Sequence, residues 1–162
     1  IAALEDAGSR VHSMMLLYDK LYQSPDFKEI SVMNYIPSLL DEIIVNFPNW
    51  KYVRVEKKID DFILDVKRLQ PVGIIINEIF TNIMKHAVPS GKELQITVSA
   101  ALKNNNAVIE IRDNGIGIPE SVDFETSSGF GLQLINMLTL QIGGTIRIER
   151  DNGTGFILEF RV

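Results

Sequence analysis

Asp113 closes an alternating run, Ala107-Val108-Ile109-Glu110-Ile111-Arg112, and is followed by Asn114 and two glycines one residue apart, Gly115 and Gly117. The alternation reads as a half-buried strand. A carboxylate at a strand's end is a directional acceptor. Glycines beside it let the backbone approach a flat or anionic ligand closely. Asp-Asn-Gly is also a common tight turn, so this motif alone leaves turn and ligand site open. A second set lies upstream. Glu78, Asn82, Lys85 and His86 are spaced i, i+4, i+7 and i+8, one face of a helix, with Ile74, Ile75, Ile79 and Ile83 on the opposite side. The polar four can be a solvated stripe. They can equally hold a hydrated magnesium ion beside a triphosphate, since magnesium keeps several waters and needs few protein oxygens. Asn82 would then anchor the ion and Lys85 would place a point charge on phosphate. A third stretch, Ser127-Ser128-Gly129-Phe130-Gly131-Leu132, precedes a helical pattern, where backbone N–H groups can face an anion. Such a Gly-x-Gly is weak evidence alone. Thr154, between Gly153 and Gly155, sets a small hydroxyl near the sheet's end.

Helices and hairpins must position these groups. Leu4, Ala7, Val11, Met14, Tyr18 and Leu21 recur at spacings of three and four, which predicts a long first helix with one apolar seam. That helix either packs on its own domain or forms half of a dimeric or hairpin bundle, and the bundle is preferred because the seam starts with nothing before it. Ser24-Pro25-Asp26 ends it. Ser31 is read as the N-cap of a second helix burying Ile36, Leu39, Leu40, Ile43 and Ile44, closed by Phe47-Pro48-Asn49. Residues 51–56 and 62–66 read as strands of a hairpin around Asp60-Asp61. Pro71 suits the first turn of a third helix, which Pro89-Ser90-Gly91 stops. Strands follow at 94–102 and 108–112 around Asn104-Asn105-Asn106, then a fourth helix over 131–141 and a last hairpin around Asp151-Asn152-Gly153. The expected fold is α+β: a two-layer sandwich with a mostly antiparallel mixed sheet covered on one face by helices, plus an N-terminal bundle helix.

The chain has 162 residues, 46% of them hydrophobic, enough for one ordinary domain with a short appended element. Lysine and arginine number 16 against 21 acids, with no dense basic run. Nucleic acid and direct membrane contact are therefore not expected. There is no cysteine, which excludes disulfides and thiolate metal sites. No apolar run reaches the ~18 residues of a membrane span, and no signal peptide is visible. A cytoplasmic location follows as an expectation, or the cytosolic part of a membrane-bound sensor. The chain starts at Ile1 in mid-pattern, which suggests a fragment of something longer.

Taken together, Asn77-Glu78-Ile79-Phe80-Thr81-Asn82-Ile83-Met84-Lys85-His86, Asp113-Asn114-Gly115-Ile116-Gly117-Ile118-Pro119 and Gly129-Phe130-Gly131-Leu132 resemble, in order, the N, G1 and G2 boxes of a superfamily of ATP-binding domains. Its members are the histidine kinases, heat-shock protein 90, DNA gyrase and the mismatch-repair ATPases. The resemblance covers about residues 50 to 162, with Gly143-Gly144-Thr145 and Gly153-Thr154-Gly155 behind it. Arg10-Val11-His12-Ser13-Met14-Met15 and Tyr18-Asp19-Lys20-Leu21-Tyr22-Gln23-Ser24 resemble the second dimerisation helix of one sensor histidine kinase subfamily, whose phosphorylated histidine lies on the preceding helix. Residues 1–28 would then belong to the dimerisation region and 29–162 to the ATP-binding catalytic domain.

The resemblance implies that Asp113 accepts from the adenine amino group, with Gly115, Gly117 and Ile118 beside it. Asn82 would coordinate Mg²⁺, Lys85 and His86 would touch phosphate, and Gly129, Phe130, Gly131 and Leu132 would cradle it. Thr154 would close the adenine pocket, and Glu78 would orient the nucleophile or the metal shell. The implied activity is transfer of the γ-phosphoryl of Mg-ATP to a histidine upstream of Ile1, for relay to an aspartate of a response regulator, in a protein that is a homodimer through its first helix. Positioning and charge neutralisation carry most of such a transfer. The alternatives are a serine kinase of the anti-sigma-factor type and a catalytically weak nucleotide-binding signalling module. Two features depart from the pattern. The loop over 120–128 carries Glu120, Asp123 and Glu125 but no lysine or arginine, and His86 stands where relatives often have an aromatic or basic residue. His12 falls on the wrong helix for a phospho-acceptor.

Overall fold

The computed structural model of the chain describes residues 2–25, 28–48, 50–87, 93–124 and 129–162. The expected stop at Pro89-Ser90-Gly91 and the Ser127-Ser128 pair lie outside them. Its elements are α1 (Ala2–Tyr22), β1 (Glu29–Ser31), α2 (Val32–Val45), β2 (Val53–Ile59), β3 (Ile63–Asp65), α3 (Val66–His86), β4 (Leu94–Lys103), β5 (Asn106–Asp113), α4 (Phe130–Gln141), β6 (Thr145–Glu149) and β7 (Thr154–Arg161). Five strands form one open sheet in the order β2-β4-β5-β7-β6. β2 and β4 are parallel, and the other pairs are antiparallel.

Alternation sets the layers. Along β5, Ala107, Ile109, Ile111 and Asp113 are buried while their neighbours are half-exposed, and β4 repeats the pattern from Leu94 to Ala100. Those side chains meet α3 residues Leu69, Val72, Ile75, Ile76, Ile79, Phe80 and Ile83 in one core. Removing such a side chain from water stabilises by roughly 1.5–3 kcal/mol each. Helix α3 is buried on nearly all sides because α1 and α4 flank it.

The strand at 51–56 does not form the expected hairpin with 62–66. β2 pairs in parallel with β4, and the intervening chain returns through α3, as a parallel pair requires. Residues 63–65 instead pair antiparallel with β1 in a small separate ribbon. Helix α3 also starts five residues before Pro71. Asp65 caps it by accepting from the Arg68 N–H at 2.9 Å, and Pro71 sits inside the helix. The Ser31 cap is present, accepting from the Asn34 N–H at 3.2 Å.

Helix α1 lies on its own domain, through a face other than the expected seam. Ser13 and Leu17 are buried, whereas Leu4, Ala7, Val11 and Tyr18 are exposed and Met14 and Leu21 are half-buried. Tyr35, 1% exposed, sits below this contact and its hydroxyl donates to the Ser13 carbonyl at 3.4 Å. Burial pushes the Tyr35 phenol well above its usual range, with nearby Glu42 adding to it. A Cβ on Gly73 would fall 2.0 Å from that hydroxyl. Gly73→Ala is therefore expected to cost about 1–3 kcal/mol, read as a lower melting temperature, because the ring has no free space to yield. An unchanged melting temperature would contradict this packing. Among the described residues no helix is long and apolar enough to cross a membrane.

Candidate functional site

Asp113 ends the central strand β5, opposite Ile96 of β4 and Thr154 of β7. It is 3% exposed. Its Oδ1 accepts the Gly115 N–H at 2.7 Å, and the Thr154 N–H also donates to the carboxylate. Burial raises its pKa above the usual carboxylate range, and those two N–H groups partly offset the rise. The following loop is fastened on both sides. Asn114 and Gln95 exchange two bonds, N–H to Gln95 carbonyl at 3.1 Å and Gln95 N–H to Asn114 Oδ1 at 2.8 Å. The Ile116 N–H donates to the Ala87 carbonyl at 3.2 Å, tying the loop to the end of α3. Gly115 is required by this seam: a Cβ there would lie 2.2 Å from the Ala87 oxygen.

A cavity of about 400 Å³ opens between the C-terminal half of α3, this loop, the first turn of α4 and the start of β7. Asn82, His86, Asp113, Gly117, Ile118, Gly129, Gly131, Leu132 and Thr154 all line it. Three separate motif stretches and a hydroxyl from the last strand thus meet in one place. Thr154 is 2% exposed and stands against Asp113 across the β5–β7 register.

Four expected site residues stand outside the lining. Gly115 forms the wall behind Asp113. Glu78, 5% exposed, pairs through both oxygens with Arg10 of α1, at 2.6 and 3.0 Å. Phe130 is exposed, its ring lying under the Arg10 guanidinium at 5.0 Å. Lys85 lines a different hollow, with Ser9, His12 and Thr81, between α1 and the end of α2. His12 itself faces Glu42 at 2.8 Å on the molecule's surface.

The structure adds residues that the motifs did not flag. Ile83, Ala87, Ile116, Pro119, Val122 and Phe156 supply the apolar part of the cavity. Arg150, from the turn after β6, donates to the Ile118 and Val122 carbonyls and braces the loop at the cavity's edge. Alternation along β7 marks Phe156 as inward-facing. Nothing local marks Arg150.

An apolar slot with one buried carboxylate suits a flat heterocycle that presents an amino donor. An amide, an imidazole and the open N-terminal turn of α4 at the other end suit an anion. The family described as histidine kinase-, DNA gyrase B- and HSP90-like ATPase matches residues 68–162, which contain every lining residue of this cavity. The chain belongs to that ATPase family. A histidine kinase family also matches residues 1–47, which hold α1 and α2. The sensor histidine kinase PdtaS of Mycobacterium tuberculosis is 27% identical over 99% of this chain and 32% of its own length. Blue-light-activated histidine kinase 2 of Erythrobacter litoralis is 22% identical over 98% of this chain and 46% of its own. This ATPase-family chain thus spans about a third to a half of those relatives. The histidine kinase domain of the Erythrobacter litoralis EL346 blue-light-activated kinase superposes with a TM-score of 0.82 at 19% identity, covering 96% of this chain and 74% of that one. The mixed five-stranded sheet under helices is therefore the histidine kinase ATPase fold.

Proposed function

We propose that this chain is the catalytic portion of a sensor histidine kinase that binds Mg-ATP in the cavity between Asp113 and Asn82 and passes its γ-phosphoryl to a histidine outside residues 1–162. One observation carries the reading: the buried Asp113 carboxylate and the Asn82 amide line the same cavity. Asp113 accepts from the adenine amino group and disfavours guanine, whose equivalent position is an acceptor. Thr154 holds Asp113 through its N–H and closes the adenine end. His86 and the backbone of Gly129, Gly131 and Leu132 face the polyphosphate.

Among the described residues no cluster of three acidic or imidazole groups is placed to hold a metal. A donor set of one amide suits magnesium that takes most of its shell from phosphate oxygens and water, with Asn82 as the protein ligand. Bound there, the ion would neutralise phosphate charge as transfer proceeds. The protein's own task is to orient the nucleotide and keep water from it. The whole protein is read as a homodimer through α1, whose apolar residues Leu4, Val11, Met15 and Tyr18 are exposed, and a response regulator is its partner. Residues 1–28 are assigned to the dimerisation region and 29–162 to the catalytic domain.

The chain extended through its preceding helix, incubated with γ-labelled ATP, should carry label that is stable in base and lost in acid, the signature of phosphohistidine. Label stable in acid would point to a serine kinase. No label would leave a nucleotide-binding module without transferase activity.

A further inference from the structure

Arg10 belongs to α1, yet its guanidinium is spent on the nucleotide domain. Nε and Nη2 donate to the two oxygens of Glu78 at 2.6 and 3.0 Å, with the side chains 19% and 7% exposed. The same guanidinium covers the ring of Phe130, the first residue of α4. One turn along α3 from Glu78 stands Asn82, which lines the cavity. A Cβ built on Gly131 would lie 2.9 Å from Glu78 Oε2 and 3.9 Å from the Asn82 amide nitrogen. The Glu78 carboxylate therefore sits directly behind the turn of α4 that faces the anionic end of the cavity. A sheltered carboxylate so close to a polyphosphate repels it unless its charge is balanced, and the loop over 120–128 contains no lysine or arginine.

We propose that Arg10 is a positioning residue of the nucleotide site: by pairing with Glu78 it removes a repulsive charge behind the phosphates, so nucleotide affinity depends on α1 being docked. The inference rests on the ATP reading given above. It makes the contact between α1 and α3 reciprocal with nucleotide: whatever draws α1 away weakens ATP, and bound ATP holds α1 in place. Ser9 Oγ, donating to the Asn77 Oδ1 at 2.8 Å, and the Tyr35–Ser13 contact set the register in which Arg10 reaches Glu78.

The test compares ATP and adenosine on wild type, Arg10→Ala and the double variant Arg10→Ala/Glu78→Gln, with calorimetry for ATP and ligand-observed NMR for adenosine. Arg10→Ala is expected to weaken ATP by about tenfold or more while leaving adenosine binding unchanged, because only the phosphates feel Glu78. The double variant, which removes the exposed charge as well, is expected to return ATP affinity to within about threefold of wild type. A purely structural role for Arg10 gives a different pattern, since a loosened α1 is not repaired by Glu78→Gln. The proposal is overturned by wild-type ATP affinity in Arg10→Ala, by equal losses for adenosine and ATP, or by a double variant as weak as the single. A wild-type chain that binds neither ligand fails the ATP reading itself, which separates the two failures.

Discussion

Replacing Asp113 with asparagine is expected to weaken ATP binding by roughly 100-fold or more, beyond calorimetric detection, while the domain stays folded. Among the described residues the carboxylate is the one acidic group lining the cavity, and it is 3% exposed. An asparagine there keeps one oxygen, which the Gly115 N–H holds, and turns the other into an NH2 donor facing the adenine amino group; a buried donor meeting a donor costs both their partners. The same substitution has a second readout that needs no nucleotide. Burial raises the Asp113 pKa above the value it has in the unfolded chain. An acid of that kind contributes most to stability when protonated, below its unfolded pKa, and the contribution is lost as pH rises through the raised folded value. Asparagine has no such loss. The melting temperature of Asp113→Asn relative to wild type is thus expected to climb as pH rises above about 4, the usual carboxylate value. Any constant cost of re-pairing the Gly115 and Thr154 N–H groups cancels from that slope. A flat or falling difference would mean that Asp113 is not held against its own ionisation.

Gly153→Ala is expected to be strongly destabilising. Gly153 has φ +123°, a conformation that side chains of ordinary handedness rarely adopt. Its Cβ would also fall 2.0 Å from the Asp113 carbonyl oxygen and 3.0 Å from Asn114 Cα, both backbone atoms that cannot swing aside. Strain and overlap together are expected to cost about 2–4 kcal/mol, or roughly 5–15 °C in melting temperature. Relief requires parting β7 from the end of β5, which withdraws the Thr154 N–H from Asp113, so nucleotide affinity should fall with stability. Gly8→Ala is the control. Nothing lies within 4 Å of its Cβ, and an alanine in mid-helix is expected to stabilise by up to about 1 kcal/mol. Equal melting temperatures for the two variants would contradict the close approach at Gly153.

Much of the cavity was legible in the sequence because its walls come from short continuous stretches. The Asp113 loop is specified by seven consecutive residues, and its glycines stand where a Cβ would strike Ala87, at Gly115, and where the backbone takes φ +81°, at Gly117. The helical spacing from Glu78 to His86 was equally legible as one face, and that is also where it misled. Lys85 and His86 are about 100° apart around the helix. Two hollows flank α3, and that angle sends His86 to the cavity and Lys85 to the hollow beside α1. Strand alternation identified which residues of β2 face inward but is silent about partners. For that reason a parallel pairing with β4, forty residues on, was read as a hairpin. Arg10 and Arg150 act on groups 68 and 28 to 32 residues away, distances at which no local pattern exists.

The most direct measurement is a calorimetric titration of this chain with ATP and, separately, GTP, each with magnesium. A nucleotide gripped between the Asp113 carboxylate and the Asn82 amide should give saturable one-to-one binding of ATP and at least about 100-fold weaker binding of GTP. Equal affinity for the two, or none for ATP, would contradict it.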